Sequence, residues 1–217
     1  MRRTTPYSRR GADDERDYQG QANILAVLVC GEYAGRISVY EHGFSRFEYD
    51  PSYSGPDLSV RMPLGDGPFN DVVVRPWVEG LLPDNPHVRK TMAVAAGCSA
   101  FNPFDLLTHY GRDCPGAVQI CSPQDVASVI AREGAYEPIS DEEIGQRLRG
   151  AQLDADPTWM SGDERWSLGG AQGKISLARI DGHWNSCHGS AATTHIDGRT
   201  LDSSLFAQIE SGSVPRD

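Results

Sequence analysis

One stretch of this sequence has residue types and spacing that could do chemistry. Ser167-Leu168-Gly169-Gly170-Ala171-Gln172-Gly173-Lys174 stands directly before an apolar run from Ile175 to Ile180. Glycines let successive backbone N–H groups close on phosphate oxygens, and a neighbouring lysine neutralises charge there. The spacing is neither a Walker A loop, G-x-x-x-x-G-K-[ST], nor the dinucleotide pattern G-x-G-x-x-G. Taken alone, a glycine run marks a turn as readily as a phosphate cradle. Other chemistries find less support. No G-x-S-x-G elbow is present. His188 and His195 lack the spacing of a zinc pair, and no H-E-x-x-H occurs. The five cysteines, at 30, 98, 114, 121 and 187, are odd in number and include no C-x-x-C. That argues against a disulfide framework or a zinc site and for reduced, mostly buried thiols. Asp141-Glu142-Glu143 reads as a helix N-terminus complementing the dipole rather than an acid–base pair. Phe44, Phe47 and Tyr49 read as core aromatics, because a base-stacking platform needs basic neighbours and only Arg46 is close. Trp77 and Trp166 are likewise expected in the core.

The elements that would position this loop need a sizeable core, and 217 residues with 39% hydrophobic content can build one. The formal net charge of −10 argues against direct binding of nucleic acid, which needs clustered Lys and Arg. The longest apolar run, Ile24 to Val29, is far short of a membrane span. Arg9-Arg10 is followed by Asp13, Asp14, Glu15 and Asp17 where an export signal would be apolar, so a cytoplasmic location is expected.

Residues 1–21 are polar and without apolar periodicity, and read as a disordered tail. Ile24–Val29, Arg36–Tyr40 and Phe44–Tyr49 predict an antiparallel meander, with Leu58–Leu64 and Val72–Val74 as further short strands. Asn85-Pro86 and Asn102-Pro103 each set a capping side chain before a proline at the first helical position, with stops near Gly97 and Gly111. Ser122-Pro123-Gln124-Asp125 predicts a third helix with Val126, Val129 and Ile130 on one face. Ser140 and Glu143 form the capping box of a fourth, with Ile139 and Ile144 as a hydrophobic staple. Residues 151–166 read as a polar linker. Beyond it, Asp181-Gly182 predicts a tight hairpin turn between Ile175–Ile180 and a return strand at His183-Trp184.

Several motifs in order carry a family resemblance. They are Gly35 with the aromatic strand ending at Tyr49, Leu58-Ser59-Val60-Arg61-Met62-Pro63-Leu64, Glu79-Gly80-Leu81-Leu82-Pro83, and Asp105-Leu106-Leu107 followed by Gly111-Arg112-Asp113-Cys114-Pro115-Gly116-Ala117. Tyr136-Glu137-Pro138-Ile139-Ser140, the Ser167–Lys174 loop and Thr193-Thr194-His195-Ile196 complete the set. Across about residues 22–196 the sequence resembles HipA-family serine/threonine kinases, the toxin kinases of type II toxin–antitoxin systems.

The resemblance implies an α+β fold. A HipA N-terminal subdomain-like domain would span 22–150 and a partial kinase-like ATP-loop region 167–196, followed by a divergent tail at 197–217. It implies ATP and Mg as cofactors. It casts Ser167 as an autophosphorylation candidate and Gly169, Gly170, Ala171, Gln172, Gly173 and Lys174 as the nucleotide loop. The implied partner is an antitoxin of the HipB type or a separately encoded HipA-like kinase core. Two departures bear on activity. Where the family carries a lysine after the Thr-Thr-His-Ile strand, Asp197-Gly198 follow here. The family's catalytic-loop Asp and Asn and its metal-binding Asp belong to a C-terminal lobe that these residues do not include, so no catalytic residue is assigned. A C-terminally truncated kinase without activity of its own is therefore expected, with tight ATP binding not expected. The alternative is a non-catalytic module that restrains a separately encoded kinase. The hairpin at 175–184 is expected to have little to pack on.

Overall fold

The computed structural model describes residues 20, 22–152, 164–170 and 173–197. Within them the chain is α+β, with two antiparallel four-stranded sheets and five α-helices. The first sheet holds β1 (Ala22–Val29), β2 (Glu32–Tyr40), β3 (Ser45–Tyr49) and β4 (Val118–Cys121), in the order β3-β2-β1-β4. Both faces of β1 are covered, which explains its unbroken apolar run. On one face Leu25, Val27, Ile37, Phe47 and Ile120 join a large core with side chains of α1 (Asp71–Glu79), α2 (Pro86–Ala96) and α3 (Pro103–Tyr110). On the other, Ala26, Leu28 and Cys121 meet Val129 of α4 (Val126–Ile130). Each large aliphatic or aromatic side chain so buried contributes about 1.5–3 kcal/mol of transfer free energy.

The helix signals act as expected. The side chains of Asn85 and Asn102 accept hydrogen bonds from the His87 and Phe104 amides at 2.9 and 3.1 Å. Gly97 ends α2 in the left-handed conformation at φ 66°. Two strand expectations fail. Val72–Val74 are the first turns of α1, because Val74 and Val78 are buried one helical turn apart and Asp71 pairs with Arg75 at 3.0 Å. A β-branched run favours strands only weakly, and burial at helical spacing overrides it. Residues 58–64 form a turn with one isolated bridge, Ser59 to Met62, in which the buried Met62 offers its carbonyl to the Tyr49 hydroxyl. After Ser122 comes a single 3-10 turn and the short α4, whose Ile130 is exposed rather than on the buried face.

The second sheet holds β5 (Gly134–Pro138), β6 (Ile175–Ile180), β7 (His183–Gly189) and β8 (His195–Asp197), in the order β5-β7-β6-β8. The β6–β7 turn has Asp181 and Gly182 at φ 50° and 84°, as a two-residue primed turn requires. α5 (Asp141–Gln152) opens in the expected capping box: the Ser140 amide donates to the Glu143 carboxylate at 2.9 Å and the Glu143 amide to the Ser140 Oγ at 3.2 Å. It lays Ile144, Leu148 and Ala151 against Trp166, Leu168, Ile175 and Leu177. The hairpin therefore does not lack a partner surface. β5 and α5, read from sequence with the first unit, pair and pack with the second sheet. Apart from residues 20 and 197, the tails expected at 1–21 and 197–217 lie outside the described residues, as do residues 153–163 of the expected linker.

Candidate functional site

The glycine-rich segment lies across two turns of the first unit, one after α1 and one after α3. The Arg112 amide donates to the Arg165 carbonyl at 3.2 Å and the Ser167 amide to the Asp113 carbonyl at 3.0 Å, so residues 112–113 run as a short parallel bridge with Trp166. Further along, the Asp84 amide donates to the Gly170 carbonyl at 3.1 Å. Ser167 is 1% exposed, and its hydroxyl donates to the Leu81 carbonyl at 2.7 Å. The loop's glycines serve close approach. A Cβ on Gly169 would collide with the Gly80 carbonyl, and one on Gly173 with the Ala151 carbonyl at the end of α5. Lys174 turns back on its own loop, its Nζ donating to the Gly169 carbonyl at 2.6 Å. Ala171 and Gln172 lie outside the described residues.

Entry to the loop is anchored from α5. The Glu164 carboxylate, 0% exposed, takes a hydrogen bond from Arg147 at 2.6 Å. Trp166, two residues on, is in the core, as expected; Trp77 packs on the first core half-buried. At the exit, Thr194, His195 and Asp197 line the far side of β6. The Thr194 amide donates to the Leu177 carbonyl at 3.0 Å, His195 stacks edge-on against Trp184 at 4.9 Å, and Asp197 stands opposite Ile175, the residue after Lys174. His188 faces Glu137 at 3.5 Å, well away from His195 in the ladder.

Sequence reading left Arg112 and Asp113 without a role, and the structure puts them at the centre. Asp113 Oδ2 accepts from the Thr193 amide at 2.9 Å and the Thr193 hydroxyl at 2.6 Å, while its Oδ1 faces Arg132 at 3.4 Å. Arg112 reaches Ser190 and Asp125, each at 3.2 Å. Thr193 is 80 positions from Asp113, so no local spacing could have announced the pair. Burial pushes the neighbouring thiols up: Cys121 to about 11 and Cys187 to about 12, with Cys114 also raised. Among the described residues no group of three or more His, Cys, Asp or Glu is placed to hold a metal ion. As arranged, Ser167 is a buried donor whose hydroxyl is held by a backbone carbonyl. The Lys174 ammonium uses one of its three donors on the Gly169 carbonyl.

These observations define an α+β protein in which a helix-covered antiparallel sheet cradles a glycine-rich loop leading into a second antiparallel sheet. Residues 25–121 match the HipA N-terminal domain. The chain is 34% identical over 183 residues to the Sinorhizobium fredii protein named "Putative kinase Y4mE", covering 80% of this chain and 42% of that one. An uncharacterised Haemophilus influenzae protein is 30% identical over 94 residues, which is 43% of this chain but 87% of that protein. Among solved structures, HipA from the Shewanella oneidensis HipA–HipB–operator DNA complex superposes with a TM-score of 0.58 at 25% identity, over 79% of this chain and 39% of that one. The chain belongs to the HipA family. It spans about two fifths of the length of the kinase-named relative and of the solved HipA.

Proposed function

We propose that this chain carries the N-terminal unit and nucleotide loop of a HipA-type toxin kinase of a type II toxin–antitoxin system, and that these 217 residues transfer no phosphate by themselves. The observation that carries the reading is the closed loop, with Ser167 buried on Leu81 and Lys174 bonded to Gly169. Phosphoryl transfer needs Mg²⁺, a positioned nucleophile and charge neutralisation around the γ-phosphate. In the family those groups belong to the C-terminal lobe, and Asp197-Gly198 follow Ile196 where the family's strand runs on into a phosphate-binding lysine. Ser167 and Lys174 are each engaged by a backbone carbonyl, which supports weak rather than tight ATP binding. Incubation of the purified chain with labelled ATP and Mg²⁺ is expected to leave it, and any added protein, unlabelled. Transfer that is lost on Ser167→Ala or Lys174→Ala would overturn the reading. Calorimetry is expected to find Mg-ATP binding weaker than micromolar, since micromolar affinity needs about 8 kcal/mol of binding free energy.

A second reading has its own support. The Haemophilus influenzae relative is spanned over 87% of its length by a match of 94 residues, close in size to the N-terminal domain alone. That coverage favours a non-catalytic module that docks on a HipB-type antitoxin or restrains a separately encoded kinase core. Co-expression with each, followed by size-exclusion chromatography, tests the module: a stable complex with either partner supports it, and co-elution with neither counts against it.

A further inference from the structure

We infer that Asp113 is a positioning residue that couples the two ends of the nucleotide-loop region. This rests on the proposal that the loop is a nucleotide loop only for its functional meaning; the coupling itself stands on geometry. The backbone of Asp113 holds the opening of the loop, because its carbonyl accepts the Ser167 amide at 3.0 Å and the residue bridges Trp166. Its side chain holds the entry to β8, where one carboxylate oxygen accepts both the amide and the hydroxyl of Thr193 at 2.9 and 2.6 Å. Arg132 flanks the other oxygen at 3.4 Å and is the cation facing it. Asp113 is thus one residue of the first unit that bonds both Ser167 and Thr193. Asp113 itself sits between two packed neighbours. Gly111 is wedged so closely against Leu107 and Ile120 that no Cβ fits, and Cys114 is buried. The turn is therefore rigid on the side away from the loop, and a displacement of Thr193 is passed to Ser167 rather than absorbed.

Hydrogen exchange on the nucleotide-free full chain tests this, with the variant on one side and the reading on the other. Thr193→Val removes the hydroxyl bond to Asp113 and leaves the sequence at 165–169 unchanged. Amides at 165–169, the Ser167 amide above all, are expected to exchange on the order of tenfold faster, the change that loss of a charge-assisted hydrogen bond supports. Amides of β1 and β2 should stay as in the wild type. Asp113→Ala should give the same acceleration at 165–169 and at 193–197, and the double variant no more than Asp113→Ala alone. Unchanged exchange at 165–169 in Thr193→Val overturns the coupling. A uniform rise along the whole chain also overturns it, leaving Asp113 a general structural residue. If Asp113→Ala fails to fold, Thr193→Val alone still decides. None of these readings depends on ATP binding, so failure here and failure of the kinase-loop reading are separate results.

Discussion

At the scale of single residues, burial decides which groups react. Cys30 is exposed and Cys98 half-buried, whereas Cys114, Cys121 and Cys187 are buried. Loss of hydration opposes the thiolate at the three buried sites, and Asp113 adds repulsion at Cys114 and Cys187. The thiolate is the nucleophile toward alkylating reagents. At pH 8, mass spectrometry after iodoacetamide treatment should find Cys30 modified first, Cys98 more slowly, and the other three only on unfolding. Glu143 gives a pH effect of known sign. Hydrogen bonds from the Ser140 amide and hydroxyl hold its carboxyl below the usual range. A depressed folded value means that the contribution is present above the unfolded value and lost as pH falls through the folded one. The N-terminal turn of α5 should therefore fray on acidification, read as faster exchange of amides 141–145, and Glu143→Gln should remove that dependence. Such local pairs were legible from sequence, as the capping box was, because partner and spacing lie within one turn of chain. Asp113 with Thr193 was not, since the pairing exists only once the two sheets meet.

Among the elements, the glycine-rich loop has the most crowded seat. Gly169→Ala places a methyl group against the Gly80 carbonyl, and backbone cannot yield cheaply. The expected loss is about 1–3 kcal/mol, as for other overpacked sites, measured as a lower midpoint in urea with an unchanged slope. Arg147→Ala tests the loop's anchor by removing a cation from the fully buried Glu164 carboxylate. Breaking one side of a buried pair costs roughly 3–5 kcal/mol, and the same titration reads it. Capped helices and the β6–β7 turn were visible in the sequence because Asn-Pro, Asp-Gly and Ser-x-x-Glu report on backbone geometry directly. β4 and β5 were missed. The four residues of β4 are buried throughout, and the five of β5 are exposed throughout, so neither shows the alternation that marks a half-buried strand. Val72–Val74, within the helix at 71–79, were read as a short strand because three consecutive valines hide its period, and Val74 with Val78 discloses it.

For the whole molecule, the cores divide unevenly from the expected boundary at 150. The apolar clusters of the first sheet draw on residues 25–129, while α5 and its cluster belong with β6. A fragment 22–131 should keep dispersed amide resonances and near-native far-UV circular dichroism. If it instead lost its tertiary structure, the second sheet would be needed to complete the first core. The overall class was legible from motif order, but the way the two sheets join was not, because the joining contacts are distant in sequence.

The crowding around Gly169 and Gly173 separates what a motif records from what it does. Both glycines are required by the neighbouring carbonyls of Gly80 and Ala151, whatever the loop binds. A library of variants sorted only for folded, soluble protein would thus keep these glycines as strictly as one sorted for catalysis. Retention of this pattern along a lineage reports on architecture, and tolerance at Lys174, whose ammonium bonds to the Gly169 carbonyl of its own loop, is where the two selections would diverge.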